Sequence, residues 1–172
     1  VVSSTATAVT DVPKIVTEEA VEECVDAILG SRLVYMFGVG SSAYIAGDLY
    51  HKISRLGIRA VTDSNEQMIA LHSAHFDSND TVVLVSHSGE SSSILESAQL
   101  ALENGARVCA ITSYANSTLA NMADCVLLSS SSETTYRPDA MLSRIIQLVI
   151  VDIISISCIV RMGDTAIDAI KS

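Results

Sequence analysis

Thr81-Val82-Val83-Leu84-Val85, then Ser86-His87-Ser88-Gly89-Glu90-Ser91, then Ser93-Ile94-Leu95-Glu96-Ser97-Ala98-Gln99-Leu100-Ala101-Leu102 follow one another with only Ser92 between the last two. A short aliphatic, β-branched run bounded by turn residues is a buried strand. The last run has the length and residue types of a helix. The stretch therefore reads strand, hydroxyl-rich turn, helix. The start of a helix carries unpaired N–H groups and the positive end of a dipole, which suits an anion. Serine hydroxyls around a glycine turn add neutral donors. No Lys lies in the loop, so it is not a nucleotide P-loop. A phosphate held by serines and backbone amides points to a phosphorylated metabolite such as a sugar phosphate.

The same unit recurs on both sides. Residues 13–29 have a wide apolar helical face, with Pro13 suited to a first turn and Gly30 to a stop. Leu33 to Phe37 is a buried strand, followed by the turn Gly38-Val39-Gly40-Ser41-Ser42 and a helix from Ala43 to Leu56. Ile58 to Thr62 is a second strand, and Asp63-Ser64-Asn65 caps a helix from Glu66 to about His72. After the opening stretch come a strand at 107–111, a short helix at 117–122 and a strand at 125–128. A polar loop, Ser129 to Glu133, leads to a long helix over 138–160 and a short last one over 165–170. Strands that are apolar throughout and alternate with helices form a parallel sheet covered on both faces. The expected fold is α/β: a three-layer, doubly wound, five-stranded parallel sheet of flavodoxin-like type. Ligands of such sheets sit beyond the carboxyl ends of the strands, at the switch point, where both Gly/Ser turns lie.

Composition narrows the function classes. The chain has 172 residues, 49% hydrophobic, with a formal charge of −10. A net negative surface repels nucleic acid, so DNA contact would need another domain. Cys24, Cys109, Cys125 and Cys158 form no CxxC pair, which argues against a metal or disulfide framework and suits a reducing cytoplasm. No secretory signal pattern is present in this sequence. The apolar segment 141–160 contains Asp152 and Arg144, so it reads as a buried or interface helix rather than a membrane span. Residues 1–12 show little helical pattern and read as the remnant of a linker, with the folded domain over 13–172.

Gly38-Val39-Gly40-Ser41-Ser42-Ala43 also fits the dinucleotide pattern G-x-G-x-x-G/A, with Asp63 near the end of the next strand. A dinucleotide site does not require the serine turn after the third strand. His72 and His75 share helical spacing, but no third metal ligand accompanies them.

Four segments in order resemble the SIS (sugar isomerase) domain. Gly38-x-Gly40-x-Ser42 resembles its first turn. Ser86-x-Ser88-Gly89-x-Ser91 resembles its S-x-S-G-x-T phosphate loop, with Ser91 keeping the hydroxyl of the usual Thr. Ile111-Thr112-Ser113 with Asn116-Ser117-Thr118-Leu119-Ala120 resembles its fourth-strand segment, with Thr118 in place of Pro. Ser143-Arg144-Ile145-Ile146-Gln147-Leu148 with Asp152 resembles the helix found in RpiR-type transcription regulators. The resemblance implies that Ser42, Ser86, Ser88 and Ser91 hold a phosphate, with Ser41 nearby. His87 lies within the loop, its side chain either a donor or a solvent-facing filler. It implies a sugar-facing carboxylate after the second strand; Glu66 is that group or a helix-capping Glu. Glu133 is a further candidate for the sugar.

The resulting expectation is a non-catalytic sugar-phosphate sensor with no cofactor, cytoplasmic and not membrane-bound. It would be a homodimer or higher oligomer that reaches DNA only through a missing N-terminal domain. The alternative is an aldose–ketose isomerase of the same fold, with Glu66, Glu90, Glu133 and His87 as candidate bases.

Overall fold

The computed structural model describes residues 2–130 and 140–171. Among them, five strands form one parallel sheet in the order β2-β1-β3-β4-β5. The strands are β1 (Leu33–Gly38), β2 (Ala60–Asp63), β3 (Asp80–Val85), β4 (Arg107–Thr112) and β5 (Cys125–Leu128). The helices are α1 (Val2–Thr10), α2 (Val12–Ile15), α3 (Glu18–Gly30), α4 (Ser42–Ser54), α5 (Glu66–Ser73), α6 (Ser92–Glu103), α7 (Thr118–Met122), α8 (Ala140–Met162) and α9 (Asp164–Lys171). The expected doubly wound sheet is the observed one.

Strand residues are apolar on both faces because both faces are covered. Val34, Met36, Val83, Val85, Ile111 and Leu127 pack with Ile45 and Leu49 of α4, Val25 and Ile28 of α3, and Ile150 and Ile154 of α8. Tyr35, Phe37, Val82, Leu84, Val108 and Ala110 pack with Ile69 of α5, Ile94 and Ala98 of α6, and Leu119 of α7. Burial of one such Ile, Leu or Phe contributes about 1.5–3 kcal/mol. The second layer also holds an aromatic group: Tyr35 and Phe76 meet edge-on with ring centres 4.8 Å apart.

Three local expectations change. Residues 2–10 form a helix instead of an irregular linker. The hydroxyls of Thr7 and Thr10 donate to the carbonyls of Ser3 and Ala6, four residues back, and α1 lies against α8. The helix expected over 13–29 is broken at Val16–Thr17. The Val16 N–H closes α2 on the Val12 carbonyl at 2.9 Å, and the Thr17 hydroxyl caps α3 by accepting from the Ala20 N–H at 3.2 Å. Strand β2 begins at Ala60, two residues later than expected, although the Arg59 carbonyl already accepts from the Val34 N–H. The expected loop end Glu133 and helix start Pro138 lie outside the described residues.

By length and composition, Leu142–Met162 could cross a membrane, with mean hydropathy 2.2. Here its Ile146, Ile150, Val151, Ile154 and Cys158 are buried in the first layer, and its Asp152 pairs with Lys52 of α4 at 2.6 Å. A central sandwich helix is apolar for the same reason as a membrane helix.

The topology fixes where a ligand can enter. From β1 the chain crosses through α4 to β2 on one side; from β3 it crosses through α6 to β4 on the other. The ends of β1 and β3 are neighbours, with Gly38 opposite Val85. The two crossovers diverge there, and such a switch point is where open parallel sheets leave a crevice.

Candidate functional site

The first wall of the crevice is the turn after β1. A β-carbon on Gly38 would sit 2.6 Å from the Ser42 carbonyl oxygen, so only glycine lets α4 start this close to the strand. Gly40 has φ +58. The Ser42 N–H donates to the Val39 carbonyl and the Ala43 N–H to the Gly40 carbonyl, both at 3.2 Å. Ser41 precedes α4 without capping it through its side chain, and Ser42 is buried at the first helical position.

The second wall is the turn after β3. The Ser86 N–H continues the ladder to the Ile111 carbonyl at 3.0 Å. The Ser86 hydroxyl accepts from the Gly89 N–H at 3.1 Å, and the Ser88 hydroxyl from the Glu90 N–H at 3.2 Å. Both hydroxyls keep their own proton to donate. Ser91 precedes α6 with extended backbone, and its hydroxyl makes no capping bond. Thus α4 and α6 begin on the two sides of one crevice, adding dipole attraction for an anion. Neither turn contains a cation. A phosphate there would be held by neutral donors.

Two residues of the loop are tied to β4 and α7. Glu90 accepts from the Thr118 N–H at 2.7 Å and from the Thr118 hydroxyl at 2.8 Å, capping α7 from outside. The Thr118 N–H holds the Glu90 carboxyl below its ordinary range, the Thr118 hydroxyl adding to this. His87 Nδ1 lies 2.8 Å from the Ser113 hydroxyl, and the His87 ring meets Tyr114 edge-on at 5.7 Å. Burial pushes the His87 pKa down, favouring the neutral ring.

Glu66 is the first residue of α5, exposed, with Oε1 accepting from the Ser93 hydroxyl of α6 at 3.4 Å. The cap of α5 is Asn65, whose Oδ1 accepts from the N–H groups of Gln67 and Met68. Glu66 is therefore not the reciprocal Glu of a capping box, which stands three residues after the cap. Asp63 is spent on its own turn, its Oδ1 accepting from the N–H groups of Ser64 and Asn65. His72 stacks on Phe37 with ring centres 5.8 Å apart and does not share a site with exposed His75. Glu133 lies outside the described residues.

Sequence reasoning missed three partners of the loop. The Ser113 hydroxyl lies 2.8 Å from that of Ser129, which accepts from Gln147 Nε2 of α8 at 3.3 Å. The available signal was a serine immediately beyond each of β3, β4 and β5: Ser86, Ser113 and Ser129. It also missed that Cys24, Cys109 and Cys125 converge in the first layer, where hydrogen bonding among the thiols and burial hold the Cys24 thiol up. An apolar cavity of about 560 Å³ between α2, α3 and α8 shares no residue with either serine turn.

Residues 27–157 match the SIS domain family. The chain belongs to that family. An uncharacterized HTH-type transcriptional regulator of Thermotoga maritima is 38% identical over 136 residues, covering 79% of this chain and 49% of the regulator. The chain thus spans about half the length of that relative. Two solved structures share the SIS fold over 99% of this chain. The sugar isomerase domain of the RpiR transcription factor from Sphaerobacter thermophilus superposes with a TM-score of 0.88 at 23% identity, over 94% of its length. The Vibrio vulnificus NanR protein complexed with ManNAc-6P superposes with a TM-score of 0.89 at 20% identity, over 64% of its length.

Proposed function

We propose that this SIS domain is the sugar-phosphate-binding effector domain of an RpiR-type bacterial transcription regulator. One observation carries the reading: two hydroxyl-rich turns, each opening a helix, leave neighbouring strand ends, where Gly38 lies opposite Val85. Ser41, Ser42, Ser86, Ser88 and Ser91 supply hydroxyl donors, and the starts of α4 and α6 supply N–H groups. Glu66, across from Ser93, is the carboxylate available to sugar hydroxyls. The ManNAc-6P bound to the similarly folded NanR protein supports a phosphorylated sugar as the ligand class.

The charge of −10 leaves DNA binding to a separate domain, in keeping with a regulator relative about twice as long as its matching segment. Such a protein acts in the cytoplasm. The ligand biases the regulator by binding one dimer arrangement better than another. Calorimetry with a panel of hexose and hexosamine 6-phosphates tests the reading. Saturable binding by one of them, lost with Ser42→Ala and Ser88→Ala, is the expected result.

The alternative, an isomerase, requires a free base beside the sugar carbons. Glu90 is engaged by Thr118 and His87 Nδ1 by Ser113, which leaves Glu66 among the described candidates. Interconversion of an aldose and a ketose phosphate by the purified chain would establish it.

A further inference from the structure

Four side chains run in an unbroken line from the serine turn to the long helix. Gln147 Nε2 contacts the Ser129 hydroxyl at 3.3 Å, that hydroxyl contacts Ser113 at 2.8 Å, and Ser113 contacts His87 Nδ1 at 2.8 Å. Gln147 is 1% exposed and Ser129 2%, so neither exchanges its partners with water. An amide nitrogen only donates. With the Ser129 oxygen accepting from Gln147, its proton is free to point at Ser113. The Ser113 proton is then available to His87 Nδ1. In that arrangement each hydroxyl receives one hydrogen bond and passes one on.

We propose that Gln147, Ser129 and Ser113 are positioning residues that hold His87 as the neutral Nε2–H tautomer. The imidazole then offers a fixed N–H donor from within the loop that carries Ser86, Ser88 and Ser91. Its backbone is pinned as well, because the His87 carbonyl accepts from the Ser113 N–H at 3.1 Å. Burial, which lowers the affinity of the ring for a second proton, agrees with a neutral donor. A neutral N–H donor suits a loop that has no cation of its own. The relay also joins that loop to α8. It rests on the sugar-phosphate reading only for what the donor meets, not for the tautomer itself.

Nitrogen-15 NMR of the ligand-free chain at neutral pH, labelled at histidine, tests the relay. The expected His87 spectrum has an unprotonated Nδ1 and a protonated Nε2 in one dominant form. Ser113→Ala should give a mixture of tautomers, Ser113→Thr should keep the single form, and Gln147→Met should weaken the bias while the amide spectrum stays folded. A dominant Nδ1–H form in the unmodified chain, or a tautomer unmoved by Ser113→Ala, would overturn the proposal. Inorganic phosphate and glucose 6-phosphate are then titrated in. A correct tautomer with no response of Nε2 to either would leave the relay standing and remove the phosphate site.

Discussion

Gly89 and Ser117 are packed so closely that a β-carbon on Gly89 would land on the Ser117 side chain. Gly89 also has φ +69, a left-handed conformation. The Ser117 hydroxyl is already used, accepting from the Ala120 N–H at 3.2 Å to cap α7. Gly89→Ala therefore meets two penalties: about 1–2 kcal/mol for a side chain in the left-handed region and about 1–3 kcal/mol for forcing atoms into a filled space. Urea unfolding should show a loss of about 2–5 kcal/mol. A loss below about 0.5 kcal/mol, the usual range of a neutral surface change, would mean that the loop shifts freely.

Ligand affinity should depend on the serine hydroxyls more than stability does. Removing one hydrogen bond to a charged group costs about 1.5–3 kcal/mol, or about ten- to a hundred-fold in affinity. Exposed Ser88 gives the cleaner test, since its only bond within the loop is to the Glu90 N–H. Calorimetry with the best sugar phosphate should show that loss in Ser88→Ala while the thermal midpoint stays close to that of the unmodified chain. Equal affinity in Ser88→Ala and Ser42→Ala would remove the site from the two turns.

The elements around this site were legible in the sequence because glycine and serine punctuate it. Gly38, Gly40 and Gly89 mark backbone that other residues disfavour, and the aliphatic strands between them announce a buried parallel sheet. Long-range pairing was not legible. Glu90 looked like a candidate base and instead caps α7 through Thr118, 28 residues away. Gln147 stood only as part of the helix segment that resembles RpiR-type regulators, and it meets Ser129 beyond β5. Residues 2–10 looked irregular because Ser, Thr and Val are weak helix formers, yet they are helical against α8. In each case the deciding partner lies far along the chain or on another element.

The Glu90–Thr118 link carries a pH dependence. The folded-state pKa of Glu90 is depressed, so its stabilising contribution is complete above the ordinary Glu pKa of about 4.3. It is lost as pH falls through the depressed folded value. Thermal midpoints of the unmodified chain should therefore fall more steeply between about pH 5 and pH 3 than those of Glu90→Gln. Parallel curves for the two proteins would show that Thr118 does not sense the charge.

Asp80 at the start of β3 should be the most sensitive acidic position for folding. It is 1% exposed, accepts two hydrogen bonds from Arg32 at 3.1 and 3.0 Å, and accepts a third from the Asp77 N–H at 2.9 Å. Arg32→Ala takes away two partners from a buried carboxylate and should cost about 1–3 kcal/mol. Asp80→Ala additionally frees the Asp77 N–H and should cost at least as much. Denaturant midpoints of both variants decide the order; an Arg32→Ala midpoint within error of the parent would show that water replaces the guanidinium.

The long helix α8 should form the contact between subunits. Its inner side is buried in the first layer, yet Leu148, Ile156 and Val160 are 40%, 60% and 74% exposed on the same helix. An apolar row left outside a finished core favours a partner surface. Leu148 directly follows Gln147, so the helix that reaches the serine turn also presents this row. Light scattering at micromolar concentration should give the mass of a dimer or larger assembly. Ile156→Asp and Val160→Asp should shift it towards the monomer, since an unpaired charge in an apolar contact is costly. Both side chains are exposed on the open wall of the cavity between α2, α3 and α8, so far-ultraviolet circular dichroism should keep its helical signal. A monomeric unmodified chain, or assembly unaffected by both charges, would place the subunit contact elsewhere or abolish it.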